Sequence, residues 1–156
     1  MTTAPRPIVL LHGWGLSSKV WAPLRALLPA ATALDLPGHG GAAPAGDSLD
    51  AWAEALVARL PDGAVLVGWS LGAQLALHIA AQYPHKAAKL LLIAATPRFV
   101  QAPDWPAALP AATLAAFRAD FDTTPDATQR RFTALQAMGD GRRRDVTATL
   151  NAALTP

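Results

Sequence analysis

The five residues Gly68-Trp69-Ser70-Leu71-Gly72 constrain the fold of this chain more than any other stretch. The apolar residues 64–67 before them predict a buried parallel strand, and residues 73–83 after them predict a helix that ends at Pro84. A serine with a glycine two positions to either side, at a strand-to-helix junction, is typical of a nucleophile elbow, because the glycines let both elements approach without Cβ clashes. The pattern predicts that Ser70 is held on a sharp turn with its hydroxyl exposed.

The first 95 residues alternate between short apolar runs and amphipathic stretches. Three helices are predicted between the strands, and they begin at Ser17 or Ser18, at Ser48 and at the elbow. The four strands are predicted at residues 7–11, 31–34, 64–67 and 89–94. Such alternation favours an α/β fold, with a parallel sheet of about four strands, flanking helices and active groups outside the carboxyl ends of the strands. Residues 1–96 are therefore predicted to form this core.

The alternation stops after the fourth strand. Prolines at positions 97, 103, 106 and 110 predict a rigid connection. Three helices are predicted to follow without an intervening strand, at residues 113–121, 126–138 and 143–154. A helical excursion after the fourth strand is typical of a lid, so residues 97–156 are predicted to form a helical lid.

Composition excludes several classes of function. With 156 residues, of which 52% are hydrophobic and 15% charged, the chain can bury a sizeable core. A net charge of +2 is too small to indicate nucleic acid or an anionic membrane as the main partner. The absence of cysteine excludes a disulfide framework and a thiolate metal site. Since no apolar run predicts a signal peptide or a membrane span, a soluble, cytoplasmic protein is expected.

A serine nucleophile needs two kinds of partner. A base must accept its proton, and amide donors must bind the oxyanion that acyl transfer generates. The donors are predicted to be the N–H of Leu71, directly after the serine at a helix N-terminus, and the N–H of Trp14, in the glycine-rich loop after the first strand.

The base is harder to find among the four histidines, which are His12, His39, His78 and His85. In this architecture the acid and the histidine follow the serine along the chain. His78, however, lies about 12 Å along the elbow helix from Ser70, and His85 lies farther away. For His12 and His39, packing or hydrogen bonding within their own loops is favoured over proton transfer. No histidine is therefore predicted to be the base.

Charged residues of the predicted lid form the other local signal. A solvated or helix-capping role is favoured for each acidic residue after the elbow: Asp104, Asp120, Asp122, Asp126, Asp140 and Asp145. Two lid helices carry an arginine cluster, which consists of Arg130, Arg131, Arg142, Arg143 and Arg144. Two interpretations of this cluster stay open: a solvated helix face, or a docking patch for an acidic protein or a phosphate group at the mouth of the site.

Five stretches together resemble one enzyme family. They are His12-Gly13-Trp14-Gly15-Leu16, Asp35-Leu36-Pro37-Gly38, Gly68-Trp69-Ser70-Leu71-Gly72, Asp104-Trp105-Pro106 and Arg131-Phe132-Thr133-Ala134-Leu135-Gln136-Ala137-Met138-Gly139. The family is that of the pimeloyl-[acyl-carrier protein] methyl ester esterases of biotin synthesis, which are α/β-hydrolases. The first three motifs are shared by many α/β-hydrolases, whereas the last two are much more selective for this family.

The resemblance implies a carboxylesterase that cleaves the methyl ester of a pimeloyl chain on acyl carrier protein, in the cytoplasm and without a metal or organic cofactor. It implies that Ser70 is the nucleophile and that Trp14 and Leu71 bind the carbonyl oxygen. An acidic carrier protein would suit the lid arginines. The residues that would line the acyl-chain tunnel are Phe132, Thr133, Ala134, Leu135 and Gln136.

The resemblance covers this chain but only part of the family. The strands and loops that carry the acid and the histidine in the family have no counterpart here, so a partial α/β-hydrolase, weakly active or inactive alone, is expected. Two alternatives are a non-catalytic module that binds an acyl group or a carrier protein, and a generic esterase or lactonase of the same fold. The strand at residues 89–94 would also keep an open apolar edge, which predicts self-association.

Overall fold

The computed structural model describes residues 5–155, and the strands within these residues form one parallel sheet. They are β1 Ile8–Leu11, β2 Thr32–Leu34, β3 Ala64–Trp69 and β4 Ala87–Ile93. The order is β2-β1-β3-β4, so β3, which leads into the elbow, pairs with β1 on one side and β4 on the other. All these pairs are parallel. The predicted α/β class and parallel sheet are confirmed.

Helical segments connect the strands of this sheet. A 3-10 turn at Ser18–Trp21 continues into α1 Ala22–Leu27, α2 Leu49–Val57 follows β2, and α3 Leu71–Gln82 follows β3. Ser48 caps α2 as predicted, since its side chain accepts a 3.1 Å hydrogen bond from the Ala51 amide. The first helix begins as a 3-10 turn, whereas the sequence predicts a continuous α-helix, because Pro23 has no N–H to donate to the preceding turn.

The sheet buries apolar side chains on both faces. Leu11, Leu66 and Leu75 are fully buried in the larger core, which lies between the sheet and helices α2 and α3. The neighbouring residue Leu10 points to the opposite face, where it packs with Trp21. Because β1 and β3 are covered on both faces, the loops at their carboxyl ends start from fixed positions.

Strand β4 ends the sheet within residues 5–155 and remains partly uncovered. Its register places Leu91 beside Val67 and Ile93 beside Trp69, yet Leu91 is 55% exposed and Ile93 40% exposed. An exposed apolar edge is a surface to which another strand can pair. Self-association through this edge stays a prediction.

The chain divides into two compact units. The first unit extends to Ala95 and includes Thr155, and the second unit spans Thr96–Leu154. The second unit contains the three predicted helices, α4 Ala111–Thr123, α5 Pro125–Gln136 and α6 Arg143–Ala152. None of the helices in residues 5–155 combines the length and the apolarity that crossing a membrane requires.

The helices of the second unit pack through a few specific contacts. The rings of Phe117 on α4 and Phe132 on α5 meet edge to face with centroids 5.7 Å apart. At the next position of α5, the buried hydroxyl of Thr133 donates a 3.0 Å hydrogen bond to the side-chain oxygen of Asn151 on α6. Helix α5 is therefore the central helix of this unit.

Candidate active site

Ser70 lies at the junction of β3 and α3 in a backbone conformation that few residues with a side chain adopt. Its φ is 54° and its ψ is −115°, and such a conformation costs about 1 to 3 kcal/mol. The surroundings enforce it, because the Ser70 amide donates to the Ile93 carbonyl at 2.9 Å and the Ser70 carbonyl accepts from the Ala73 amide at 2.9 Å. The predicted strand-turn-helix context of the motif is confirmed.

A second strained residue follows the carbonyl that holds Ser70. Ala94, directly after β4, has a φ of 49°. It is, with Ser70, one of two non-glycine residues in the described part of the chain with a positive φ. The chain therefore turns sharply immediately after the Ser70–Ile93 hydrogen bond.

The two glycines of the motif are required by close backbone approach. A Cβ on Gly68 would overlap the Gly72 carbonyl oxygen and the Ala73 backbone nitrogen. A Cβ on Gly72 would overlap the carbonyl oxygens of Leu11 and His12. Helix α3 thus begins in contact both with its own strand and with the carboxyl end of β1, as the elbow interpretation predicts.

The loop after β1 makes a tight turn beside Ser70. The Leu16 amide donates to the Gly13 carbonyl at 3.4 Å, and Gly15 has a φ of 73°, the sign that the third residue of a type II turn requires. A Cβ built on Gly13 would lie 3.5 Å from the Ser70 Cβ. This geometry brings the turn that contains Trp14 close to the serine, and Leu71 is the first residue of α3. Their roles as oxyanion donors stay a prediction.

Two histidines join this turn to the loop that follows β2. His12 bonds to the Gly13 carbonyl through Nδ1 at 2.8 Å and accepts the Leu36 amide at Nε2 at 3.0 Å. His39 bonds to the Pro37 carbonyl through Nδ1 at 2.9 Å and accepts the Gly15 amide at Nε2 at 3.2 Å.

The hydrogen-bonding roles predicted for these histidines are confirmed. The sequence predicts bonds within each histidine's own loop, whereas in the structure each histidine also bonds to the other loop. Each ring makes one bond in its own loop and one to the other loop. Sequence reasoning missed these bonds because they depend on which loops meet at the sheet edge. The signal that was available is the presence of a histidine in both glycine-rich loops.

The histidine pair lies in a buried electrostatic setting. Burial lowers the pKa of His12 to about 4, and the nearby His39 adds to this, while the bond to Gly13 and the charge of Asp35 partly oppose it. Burial alone would raise the pKa of Asp35, but the amides of Ser18 and Gly41 donate to its carboxylate, with further help from the Ser18 side chain and His12, and the pKa is lowered. His12 is therefore neutral and Asp35 charged at neutral pH.

The other two histidines lie away from the serine. His78 is paired with Asp50 of α2, with the His78 Nε2 atom 2.7 Å from a carboxylate oxygen. The His85 carbonyl accepts the Gly63 amide at 2.8 Å, just before β3 begins, so His85 lies at the amino edge of the sheet, about 20 Å of strand from Ser70. Within the described residues, no histidine is placed as a base for Ser70.

The residues predicted to line an acyl tunnel belong to the second unit. Five consecutive helical residues point around more than a full turn, so they do not share one face. Thr133 is buried and bonded to Asn151, and Phe132 packs against Phe117. Leu135 is 56% exposed. The tunnel role of Phe132, Thr133, Ala134, Leu135 and Gln136 stays a prediction.

The arginine cluster also lies in the second unit, and its five members are exposed. Arg131 forms an ion pair with Asp120 of α4. The Asp140 carboxylate accepts the Arg142 amide at 2.7 Å in the turn before α6, but no side chain caps α6 at its N-cap Arg142, so the capping role predicted for Asp140 is not observed. Asp104 instead faces Arg98 at 3.7 Å. Docking by the arginines stays a prediction.

Comparison with known proteins gives a family and close sequence relatives. A model described as the alpha/beta hydrolase family matches residues 8–156. A pimeloyl-[acyl-carrier protein] methyl ester esterase of Aromatoleum aromaticum is 51% identical over 155 residues, which is 94% of this chain and 62% of that protein. The protein of the same name from Chromobacterium violaceum is 41% identical over 152 residues, with 94% and 59% covered.

Solved structures agree on the fold. An esterase from Exiguobacterium antarcticum superposes with a TM-score of 0.77 at 21% identity, over 98% of this chain and 63% of that one. This chain therefore spans about three fifths of the length of the relatives it matches.

Proposed function

The chain belongs to the α/β hydrolase family, and on that premise we propose that it supplies the nucleophile and oxyanion-binding part of an esterase that cleaves the methyl ester of pimeloyl-acyl carrier protein. Ser70 would be the nucleophile, with the amides of Trp14 and Leu71 as donors to the oxyanion. The observation that carries the proposal is the Ser70 backbone, held at a φ of 54° between β3 and α3.

The chemistry follows from this geometry. The Ser70 hydroxyl would add to the ester carbonyl, and the negative charge on the carbonyl oxygen would be bound by preorganised amides, which are worth about 10²- to 10³-fold each in comparable enzymes. The serine proton would pass to solvent, collapse of the intermediate would release methanol with a proton from solvent, and water would hydrolyse the acyl-serine that remains. Because no histidine in residues 5–155 is placed to take the serine proton, we expect low turnover by this chain alone.

The substrate proposal is supported by the relatives. Relatives 51% and 41% identical carry the name pimeloyl-[acyl-carrier protein] methyl ester esterase. The exposed arginines Arg130, Arg142, Arg143 and Arg144 would offer positive charge to an acidic carrier protein, with Arg131 held by Asp120. The acyl chain would contact the stretch 132–136, and the reaction would take place in the cytoplasm.

Ester hydrolysis tests the catalytic proposal. We expect wild-type protein to hydrolyse p-nitrophenyl butyrate slowly, and to release methanol from a synthetic pimeloyl methyl ester carrier, while Ser70→Ala shows neither activity. Ser48→Ala is the matched control, since it removes a serine hydroxyl that caps α2 and lies outside the elbow. Equal rates for wild type and Ser70→Ala would refute Ser70 as the nucleophile.

A second candidate is a non-catalytic module that binds the carrier protein, and it is favoured by one observation: both ring nitrogens of His12 and of His39 are already bonded. Carrier binding without Ser70-dependent hydrolysis would distinguish this module from the esterase. Arg142→Glu and Arg118→Glu test the docking patch that both candidates use, because each variant reverses one exposed charge and Arg118 lies outside the cluster. We expect Arg142→Glu to weaken carrier binding about tenfold at low salt and Arg118→Glu to leave it unchanged. Equal loss in both variants would reject a specific patch.

A further inference from the structure

We propose that His12 and His39 are positioning residues that fix the two peptide planes on either side of Trp14 and so aim its amide at the carbonyl oxygen of the substrate. The inference rests on the proposed function in taking the Trp14 amide as an oxyanion donor. Both histidines lie inside the first unit, with His12 fully buried and His39 8% exposed.

His12 fixes the plane before Trp14. The Gly13 carbonyl and the Trp14 amide belong to one peptide unit, which is planar and trans, so the oxygen and the amide hydrogen point in opposite directions. His12 Nδ1 holds that oxygen at 2.8 Å, and the Leu16 amide also donates to it. Restraining the oxygen at one end of the unit therefore directs the Trp14 N–H at the other end.

His39 fixes the plane after Trp14. Type I and type II turns differ by a flip of the central peptide, here the one between Trp14 and Gly15. The positive φ of Gly15 selects the type II orientation, and His39 Nε2 accepts the amide of that peptide at 3.2 Å. Since a flip would turn this amide away from the acceptor, the His39 ring stabilises one orientation of the turn over the other.

The partners also determine the protonation state of both rings. A backbone amide can only donate, so Nε2 of each ring, which faces an amide, must be unprotonated, and Nδ1 carries the proton that is donated to a carbonyl. Two titratable groups lie near His12: the Asp35 carboxylate is 3.9 Å from its Nε2 atom, and the His39 ring is 5.4 Å from its own ring, centroid to centroid. Trp52 of α2 packs against His39 edge to face.

Asparagine and glutamine variants distinguish the two hydrogen bonds of each ring. The side-chain amide of asparagine reaches the position of Nδ1, and that of glutamine reaches the position of Nε2. At position 39 the bond to the turn uses Nε2, so His39→Gln should keep it and His39→Asn should lose it. At position 12 the bond to the turn uses Nδ1, so His12→Asn should keep it and His12→Gln should lose it. Positioning therefore predicts opposite preferences at the two positions.

Two measurements test this in the full chain: hydrogen exchange of the Trp14 and Gly15 amides by NMR, and kcat and KM for p-nitrophenyl butyrate. We expect His39→Asn and His12→Gln to raise exchange at least tenfold and to lower kcat about tenfold with KM within twofold, as loss of aim at an oxyanion donor should. His39→Gln and His12→Asn should stay within threefold of wild type. His78→Asn, at the Asp50 pair, is the matched control and should change neither quantity.

The outcomes discriminate between the two proposals. The same order of asparagine and glutamine at both positions, or exchange unchanged in every variant, would overturn the positioning roles. If wild type shows no Ser70-dependent hydrolysis, the proposed esterase activity is refuted. The opposite preferences for asparagine and glutamine at positions 12 and 39, measured by amide exchange, still decide whether the histidines hold the turn. If one position yields unfolded protein, the pair at the other position gives the decision.

Discussion

The two units of this chain differ in how many large apolar side chains they bury. In the first unit, Leu10 on β1, Leu66 on β3 and Ile79 on α3 are completely buried. In the second unit, α4 has no buried residue. Among the described residues of this unit, the one buried large apolar side chain is that of Leu150 on α6, which is 5% exposed. The first unit therefore holds backbone groups in strained, fixed geometry, whereas the second is stabilised by a few contacts between helices.

This difference matches what each unit is proposed to do. Oxyanion binding needs donors fixed before the substrate arrives, and the carboxyl edge of a buried sheet provides such fixation. Contact with an acyl chain or a carrier protein needs accessible side chains, and the second unit exposes both arginines and apolar residues such as Leu135 and Met138.

The largest effect is expected from a core truncation. Leu66→Ala in β3 should lower the free energy of unfolding by about 3 to 5 kcal/mol, because it leaves a cavity in a close-packed core. Leu135→Ala, the matched change at an exposed leucine of α5, should cost less than about 0.5 kcal/mol. Urea denaturation followed by tryptophan fluorescence measures both. Similar losses would contradict the contrast between the units.

Glycine-to-alanine substitutions test whether the backbone is packed more closely in the first unit than in the second. Gly72→Ala would force a methyl group into the carbonyl oxygens of Leu11 and His12, and should cost about 1 to 3 kcal/mol or prevent folding. A Cβ on Gly141, in the second unit, would meet no atom within 4 Å, so Gly141→Ala should change stability by less than about 0.5 kcal/mol. The same denaturation assay applies, and a tolerated Gly72→Ala would refute the close approach.

Acid sensitivity should be confined to the first unit. The pKa of His12 is lowered from 6.5 to about 4 in the folded chain, so between these values the unfolded chain binds more protons. Stability should therefore be fully present above pH 6.5 and fall as the pH drops toward 4, by at most about 3 kcal/mol. Asp35, whose pKa is lowered from 3.8, loses its contribution only at lower pH.

Unfolding in urea at several pH values measures this dependence. In the control variant His12→Asn, the free energy of unfolding should fall less steeply between pH 6.5 and 4 than in wild type. Residues 96–154 contain no histidine. Amide exchange in the second unit should therefore stay constant at pH values where the first unit is still folded, after correction for intrinsic exchange. A wild-type slope equal to that of His12→Asn would exclude His12 as the source.

The smallest effect is expected at the ion pair between Arg131 and Asp120. Both side chains are at least half exposed, so Arg131→Ala should lower stability by less than about 1 kcal/mol, and 0.5 M salt should remove the difference between variant and wild type. A loss comparable to that of Leu66→Ala would mean that α4 and α5 depend on charge far more than their exposure suggests.

The sequence predicts the order of elements and the elbow well, because both depend on local patterns. Strand-helix alternation before Thr96 and its loss afterwards are visible in the apolar periodicity, and the glycines around Ser70 report a close approach between neighbouring elements. The 3-10 start of the first helix was also accessible, from Pro23.

What could not be predicted depends on contacts between distant segments. His12 and His39 bond across two loops that are 24 residues apart in each case, and no local pattern specifies that these loops meet. Likewise, Phe132 and Thr133 are adjacent in the sequence, but one packs against α4 and the other bonds to α6. Grouping consecutive helical residues as the lining of one tunnel ignores this divergence.

The strained backbone at Ala94 has a consequence for how the sequence can vary. A positive φ penalises β-branched side chains most and is tolerated by glycine, asparagine and aspartate. Valine, isoleucine and threonine, which suit the preceding strand positions, should therefore be the poorest replacements at this one. In a saturation library the ranking of substitutions should invert between Ile93 and Ala94, which marks the boundary of the sheet with a signature that no measurement of burial would reveal.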